Sequence, residues 1–149
     1  MDVASSISSP QLPETAKSTS GIGSGVQLSN QGVPLHKGSS KQQEAIDYAW
    51  QISKDPNFIY LLKAENGKVS IDRKSDIVGS NGYSDYGYCQ INKGFHSKIV
   101  KDARFFTDMK WQLDQCYRLY KGGTTFYGLI KFKSNKAFQK KVKAAFTWQ

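Results

Sequence analysis

The sequence has little cysteine and no long hydrophobic run, and each shortage excludes a class of protein. Two cysteines, Cys89 and Cys116, are too few for a disulfide scaffold or a zinc site, so we expect two buried free thiols. No stretch of about eighteen apolar residues occurs, and the N-terminus lacks the basic-then-apolar layout of a signal peptide. We therefore expect a soluble chain that is not exported by the general route and does not insert into a membrane.

Residues 1–40 contain no aromatic side chain, whereas all eight Phe, eight Tyr and three Trp lie at or beyond Tyr48. The same forty residues hold ten Ser, five Gly and three Pro, without a helical or strand period. Such a segment cannot bury enough apolar surface to offset its chain entropy. We predict a disordered arm over 1–40, which is either a plain tether or a segment that orders on a partner, and one folded domain over 41–149.

Acidic residues are scarce, because 12 Asp and Glu stand against 21 Lys and Arg and leave a net charge of +9. The charges of the arm cancel, so the excess belongs to residues 41–149. Six lysines lie between Lys131 and Lys143, a stretch without any acidic residue. This charge implies an anionic partner, and nucleic acid, an acidic membrane and an anionic cell wall all fit it.

Periodicity predicts two helices near the start of the domain. Ser40 and Gln43 have the form of a capping box, and the apolar positions that follow recur at helical spacing, namely Ala45, Ile46, Ala49 and Trp50. Asp55 before Pro56 predicts the start of a second, deeply buried helix that Gly67 stops.

The remaining elements are a small β region and further helices. Alternation at Val69 and Ile71, followed by turn residues, predicts a hairpin or small sheet between residues 68 and 84. Asp108 is the expected cap of a helix that ends at Gly122, and Ser134 is the expected cap of a last helix with its lysines outward. The predicted fold class is α+β and mainly helical.

Glu65 falls in the last turn of the second predicted helix, directly after a run of apolar residues. The helix dipole disfavours a carboxylate there, and desolvation raises the pKa of such a side chain. A carboxyl group that stays protonated near neutral pH suits a general acid, for example in the cleavage of a glycosidic bond. The alternative is a partly exposed acid at a helix end.

The segment Asp85–Asn92 resembles the Asp-Tyr-Gly-x-x-Gln-Ile-Asn string of c-type lysozymes. Its Gly-x-x-Gln core also recurs in goose-type lysozymes and lytic transglycosylases, and residues 65–67, Glu-Asn-Gly, stand where the catalytic glutamate is expected. The chain thus resembles the lysozyme-like superfamily over residues 63–92. The resemblance implies a lysozyme-like domain with Glu65 as general acid, Asp85 as partner carboxylate, and Gln90 and Asn92 lining the sugar subsite.

Three departures from that resemblance concern the branch of the superfamily. The gap between the two acids is longer than in c-type enzymes, and their four-disulfide framework is missing. The Tyr-Asn-Ala-Gly string of transglycosylases is also missing, with residues 124–128, Thr-Thr-Phe-Tyr-Gly, in its place. The first two departures point toward phage and transglycosylase branches, where a single glutamate often suffices. The third is a departure from transglycosylases, so hydrolase and transglycosylase both stay open.

Each candidate residue has a second interpretation. Asp85 could form a turn, and Gln90 and Asn92 could satisfy backbone groups at strand ends. Tyr86 and Tyr88 could stack on sugar or simply pack a strand. His96 is expected to be a surface histidine, and no spacing of Cys, His or acidic residues predicts a metal or another cofactor.

We therefore expect an enzyme that cuts peptidoglycan between N-acetylmuramic acid and N-acetylglucosamine. The alternative is a non-catalytic module that binds glycan or, through its basic charge, nucleic acid. We do not expect nucleic acid as the partner, because the aromatics do not interleave with the lysines. The arm suits a phage virion or tail component docked on a structural protein, or a lysis protein acting at the bacterial wall.

Overall fold

The structure is a computed structural model that describes residues 32–149, so most of the predicted arm lies outside the described residues. The chain divides into two units, and the larger one is Pro34–Thr147. The described part of the smaller unit consists of residues 32–33 and Trp148–Gln149. Within it, Val33 and Gln149 exchange two backbone hydrogen bonds, with N–O distances of 2.5 and 3.0 Å.

The described residues form six helices and four short strands. In chain order these are β1 Pro34–His36, α1 Ser40–Ser53, α2 Pro56–Glu65, β2 Asp85–Tyr86, β3 Ile91–Asn92, α3 Ser97–Val100, α4 Met109–Lys121, α5 Tyr127–Ser134, α6 Lys136–Lys143 and β4 Phe146–Trp148. The predicted class, α+β and mainly helical with a small β element, is confirmed. No helix in the described part of the chain is long and apolar enough to cross a membrane.

Folded structure begins earlier than residue 41. Pro34–His36, inside the segment predicted to be a disordered arm, forms β1, which pairs with β4. The capping box of α1 also lies one residue earlier than predicted. The Ser39 hydroxyl accepts from the Gln42 backbone N–H at 3.2 Å, and the Ser39 N–H donates to the Gln42 side chain at 2.6 Å. Either serine fits the spacing, and only the backbone geometry selects Ser39.

The helix α2 carries the candidate acid at its end and matches the prediction closely. Asp55 caps it by accepting from the Asn57 N–H at 2.8 Å, and Pro56 takes the first helical position. The apolar side chains of its inner face have no solvent exposure, namely Phe58, Ile59, Leu61 and Leu62. The residue after Glu65 that ends the helix is Asn66 rather than the predicted Gly67.

No hairpin or strand forms between residues 68 and 84, so that prediction is wrong in its placement of the β element. The segment consists mainly of turns and bends, and Val69 has a positive φ of 48° that strand residues do not adopt. Its contribution to the β structure is one antiparallel bridge, between Lys74 and Tyr86. Its alternating pattern arises because Val69 packs inward from a turn. The antiparallel pair lies later, with Asp85 opposite Asn92 and Tyr86 opposite Ile91, inside the string that resembles lysozymes.

The expectation of two free thiols is also wrong, because Cys89 and Cys116 form a disulfide. Cys89 lies in the turn between β2 and β3, and Cys116 lies on α4, 27 residues later. Both side chains are fully buried, and their Cα atoms are 6.0 Å apart. Packing of the turn on α4 brings the pair together, which the count of two cysteines did not reveal.

The last helices follow the predicted pattern with a shifted cap. Ser134 ends α5 instead of capping the last helix, and Asn135 caps α6 by accepting from the Phe138 N–H at 3.0 Å. Val142 is buried, while the lysines between residues 131 and 143 are exposed as predicted. Phe146 also points inward, but from β4 rather than from a helix.

Candidate active site

A cleft of about 750 Å³ opens beside the end of α2. Its size falls in the range of about 300 to 1,000 Å³ that is typical of ligand sites. Glu65 lines it together with two groups of residues, one from the irregular segment and the β2–β3 hairpin, the other from the end of α4 and the start of α5. The lining residues include Arg73, Asp76, Ile77, Asp85, Gln90, Asn92, Phe95, His96, Thr124, Thr125, Phe126 and Tyr127.

The carboxyl group of Glu65 is subject to opposing influences. Burial raises its pKa, backbone N–H donors at Gly128 and Leu129 lower it, and the negative charge of Asp85 raises it again. The pKa of Glu65 ends at about 7 instead of its ordinary 4.5. At neutral pH this group therefore exists in both forms, which is what a residue that gives and takes back a proton requires.

The start of α5 holds the Glu65 side chain in place. The Gly128 N–H donates to Glu65 Oε2 at 2.6 Å. Phe126, the residue at the N-cap of α5, offers no side-chain cap, so the Glu65 carboxyl group takes that role from another helix. A Cβ on Gly128 would stand 2.7 Å from Glu65 Oε2, so this close approach requires glycine.

Asn66 fixes the backbone directly after Glu65. Its side chain is fully buried, and its Nδ2 donates to the carbonyl oxygens of Ser70 at 2.8 Å and Gly87 at 3.0 Å. Its Oδ1 accepts from the Lys68 N–H at 3.2 Å. One buried amide therefore ties the end of α2 to the hairpin that carries Asp85, and losing it would remove three hydrogen bonds that hold these segments together.

Asp85 lines the same cleft as Glu65 and is held by polar neighbours. Its Oδ1 accepts from Asn92 Nδ2 at 2.9 Å, and its backbone N–H donates to the Ser75 hydroxyl at 3.0 Å. Asn92 is engaged on its other side too, since its Oδ1 accepts from Asn81 Nδ2 at 2.7 Å and from the Gly94 N–H at 2.9 Å. Asn92 thus orients a carboxylate inside the cleft.

Gln90 lines the cleft from an unusual backbone conformation. Its φ is 56°, in the left-handed region, and its Nε2 donates to the carbonyls of Arg73 at 3.1 Å and Gly87 at 3.0 Å. These bonds keep the irregular segment against the hairpin. The structure therefore brings Glu65, Asp85, Gln90 and Asn92 to one cleft.

The two tyrosines proposed for sugar contact do not line this cleft. Tyr88 is 5% exposed, and its N–H donates to the buried Gln112 side chain at 2.6 Å. The Tyr86 ring packs edge-on against Phe106, with centroids 5.8 Å apart. His96, expected to be a surface histidine, is partly exposed and lines the cleft. Within residues 32–149 no group of three His, Cys, Asp or Glu is arranged to hold a metal ion.

Large apolar side chains stand exposed where they line the cleft. Ile77 is 79% exposed, Phe95 is 77% exposed and Tyr127 is 80% exposed. Exposed apolar groups that line a groove are typical of a binding surface. Phe95 and Tyr127, rather than Tyr86 and Tyr88, are thus the widely exposed aromatic side chains that line the cleft.

The sequence pattern did not indicate that residues 124–128 contribute to the site. The first four of these residues line the cleft, and Gly128 contacts the candidate acid. No clear signal of this was present in the sequence, because Thr124 and Thr125 are possible local caps. It is the structure that shows α5 beginning after Phe126, with the Gly128 N–H donating to that acid.

Comparison with protein-family models, with curated proteins and with solved structures finds no match for this chain.

Proposed function

We propose that this chain cuts the glycan strands of bacterial peptidoglycan at the β-1,4 bond after N-acetylmuramic acid, with Glu65 as the general acid. The observation that carries the proposal is one carboxyl group with a pKa raised to about 7 in an open cleft that a second carboxylate also lines. Glycosidases typically use two carboxyl groups, one of which stays protonated as the general acid. The resemblance of residues 63–92 to lysozyme-like enzymes supplies the substrate class.

The proposed reaction begins with transfer of the Glu65 proton to the oxygen of the glycosidic bond as that bond breaks. Positive charge then develops on the sugar, and the Asp85 carboxylate, oriented by Asn92, stabilises it. In a hydrolase, water adds to the sugar carbon and returns its proton to Glu65. In a transglycosylase, a hydroxyl of the same sugar adds instead, and Glu65 accepts that proton.

The surroundings of the Glu65 carboxyl group suit both halves of this cycle. The Gly128 N–H donates to Glu65 Oε2, so it favours the carboxylate that remains after proton transfer. Burial favours the protonated form that starts the reaction. The balance of the two keeps the proton exchangeable.

The site of action belongs to the same proposal. A disulfide is typical of proteins that work outside the reducing cytoplasm, which suits an enzyme acting at the wall from a phage particle or during lysis. Docking on a phage structural protein through the arm remains a prediction, since residues 1–31 lie outside the described residues.

The test is loss of turbidity of purified peptidoglycan with Glu65→Gln, which keeps the shape of the side chain but cannot donate the proton. We expect no measurable clearing from a variant with an unchanged fold. Asp76→Asn is the matched control, because Asp76 lines the same cleft with its side chain 89% exposed. Retained activity in folded Glu65→Gln, or equal loss in the control, would assign the chemistry elsewhere.

A further inference from the structure

The helices α5 and α6 present a surface of one charge. Six lysines form it, and we call them the lysine face: Lys131, Lys133, Lys136, Lys140, Lys141 and Lys143. All six are exposed. On the inner side of these helices, Phe132 and Val142 are each 3% exposed, so packing fixes which side faces solvent.

Among residues 32–149, no acidic side chain forms an ion pair with the lysine face. The ion pairs in the described part of the chain, Arg73 with Asp76 and Arg104 with Asp102, do not involve it. Its field reaches inward, because the pKa of Lys63 is lowered first by burial and then by the charge of Lys141. Like charges four residues apart on a helix, such as Lys136 and Lys140, destabilise it slightly. A face that served only solubility would mix both signs.

The ammonium groups of two of these lysines lie over aromatic rings. Lys131 Nζ lies 4.4 Å from the centroid of the Phe138 ring, and Lys143 Nζ lies 5.9 Å from that of Tyr60. These contacts restrain long side chains, so less rotamer freedom is lost when an anion binds.

The lysine face is continuous with the cleft. Tyr127, in the first turn of α5, lines the cleft and is 80% exposed. Lys131 follows four residues later, so it lies on the same side of the helix about 6 Å along its axis. A chain-like ligand held by the lysines would therefore run toward the position of Glu65.

We propose that the lysine face binds an anionic phosphodiester polymer of the bacterial wall and holds the enzyme on its substrate. The choice of a wall polymer among polyanions rests on the proposed function. The side chains of the lysine face argue against nucleic acid and against a membrane as its partner. Phe132 is buried and Lys131 lies over Phe138, so the one widely exposed ring on these two helices is Tyr127 at the cleft, too few for a run of stacked bases. Ile130 on α5 is exposed, but α6 exposes no large apolar side chain, so the two helices lack a continuous apolar face for a membrane.

The experiment compares the retention of three proteins on insoluble walls, all in the Glu65→Gln background so that the walls stay intact. One carries Lys136→Glu, Lys140→Glu and Lys141→Glu. The matched control carries the same charge reversal at exposed lysines outside the face, Lys41→Glu, Lys98→Glu and Lys101→Glu. Walls are used before and after hydrofluoric acid removes their phosphodiester polymers, and at rising salt.

We expect the face variant to bind intact walls roughly tenfold or more weakly than the parent, and the control to lose much less. On stripped walls the parent should fall to the level of the face variant. Equal loss in both variants, or parental binding that survives stripping, would overturn the proposal. So would tighter binding of duplex DNA or of phosphatidylglycerol vesicles than of intact walls. Face-dependent retention in the Glu65→Gln background, together with no cleavage of walls by the protein that keeps Glu65, would uphold this inference and overturn the proposed function.

Discussion

At the scale of the residue, the pKa of Glu65 sets the pH range of the proposed reaction. Because the pKa is raised to about 7, the acid form dominates below that pH and is lost above it. The rate should therefore fall about tenfold per pH unit beyond neutrality. The charge of Asp85 contributes to the raised pKa, so its removal should shift this decline.

Asp85→Asn tests that coupling. Without the carboxylate, the pKa of Glu65 drops, and the alkaline decline of the rate should move to lower pH, as measured by pH profiles of peptidoglycan clearing. The size of the rate loss at the optimum separates the branches. A fall by orders of magnitude indicates a charge needed in the transition state, as in a hydrolase, and a small one indicates a transglycosylase. An unmoved alkaline decline would show that the two carboxyl groups do not interact.

At the scale of the element, the start of α5 positions Glu65 from across the cleft. Gly128→Ala should displace the carboxyl group, because the new Cβ would lie 2.7 Å from Oε2. We expect activity to drop by about tenfold or more and the melting temperature to fall slightly, because the new Cβ would also lie 3.0 Å from the backbone carbonyl carbon of Ala64. Gly67→Ala is the control, because a Cβ there meets nothing within 4 Å. Full activity in Gly128→Ala would remove α5 from the positioning of Glu65.

The disulfide holds the β2–β3 turn on α4. Cys89 is followed directly by Gln90, which lines the cleft, so the bond supports the wall of the site. Closing a loop of 27 residues stabilises a fold by about 3 to 4 kcal/mol on chain-entropy grounds. Reductant should lower the free energy of unfolding in denaturant titrations and leave a Cys89→Ala, Cys116→Ala variant unaffected. An intact mass in denaturant that shows two free thiols would contradict the bond.

Much of the helical framework could be predicted from local chemistry, and much of the site from a short string. The start of α2 at Asp55 and Pro56, and the placement of Glu65 in its last turn, follow from capping and periodicity. The strands could not be placed, because Val69 mimics strand alternation from a turn. The disulfide and the contact between Gly128 and Glu65 join residues 27 and 63 positions apart, and only the packed fold defines them.

At the scale of the whole molecule, the raised pKa of Glu65, which the proposed reaction uses, lowers the free energy of unfolding at neutral and alkaline pH. The pKa of Glu65 is about 7 in the fold against about 4.5 in the unfolded chain, so the folded state binds more protons between these values. The free energy of unfolding therefore falls as pH rises through this window, by roughly 3 kcal/mol at most. Glu65→Gln should melt higher than the parent at pH 8 and alike at pH 4. Equal melting at both values would argue against a raised pKa.

Turbidity alone does not say which wall bond is cut, so the most direct test is mass spectrometry of the products released from purified peptidoglycan. The proposed function predicts fragments that end where the bond between N-acetylmuramic acid and N-acetylglucosamine was cut. A hydrolase leaves a reducing end there, and a transglycosylase leaves an anhydro end. Neither end should form with Glu65→Gln. Release of intact glycan strands with cut peptides, or glycan cleavage that persists in folded Glu65→Gln, would contradict it.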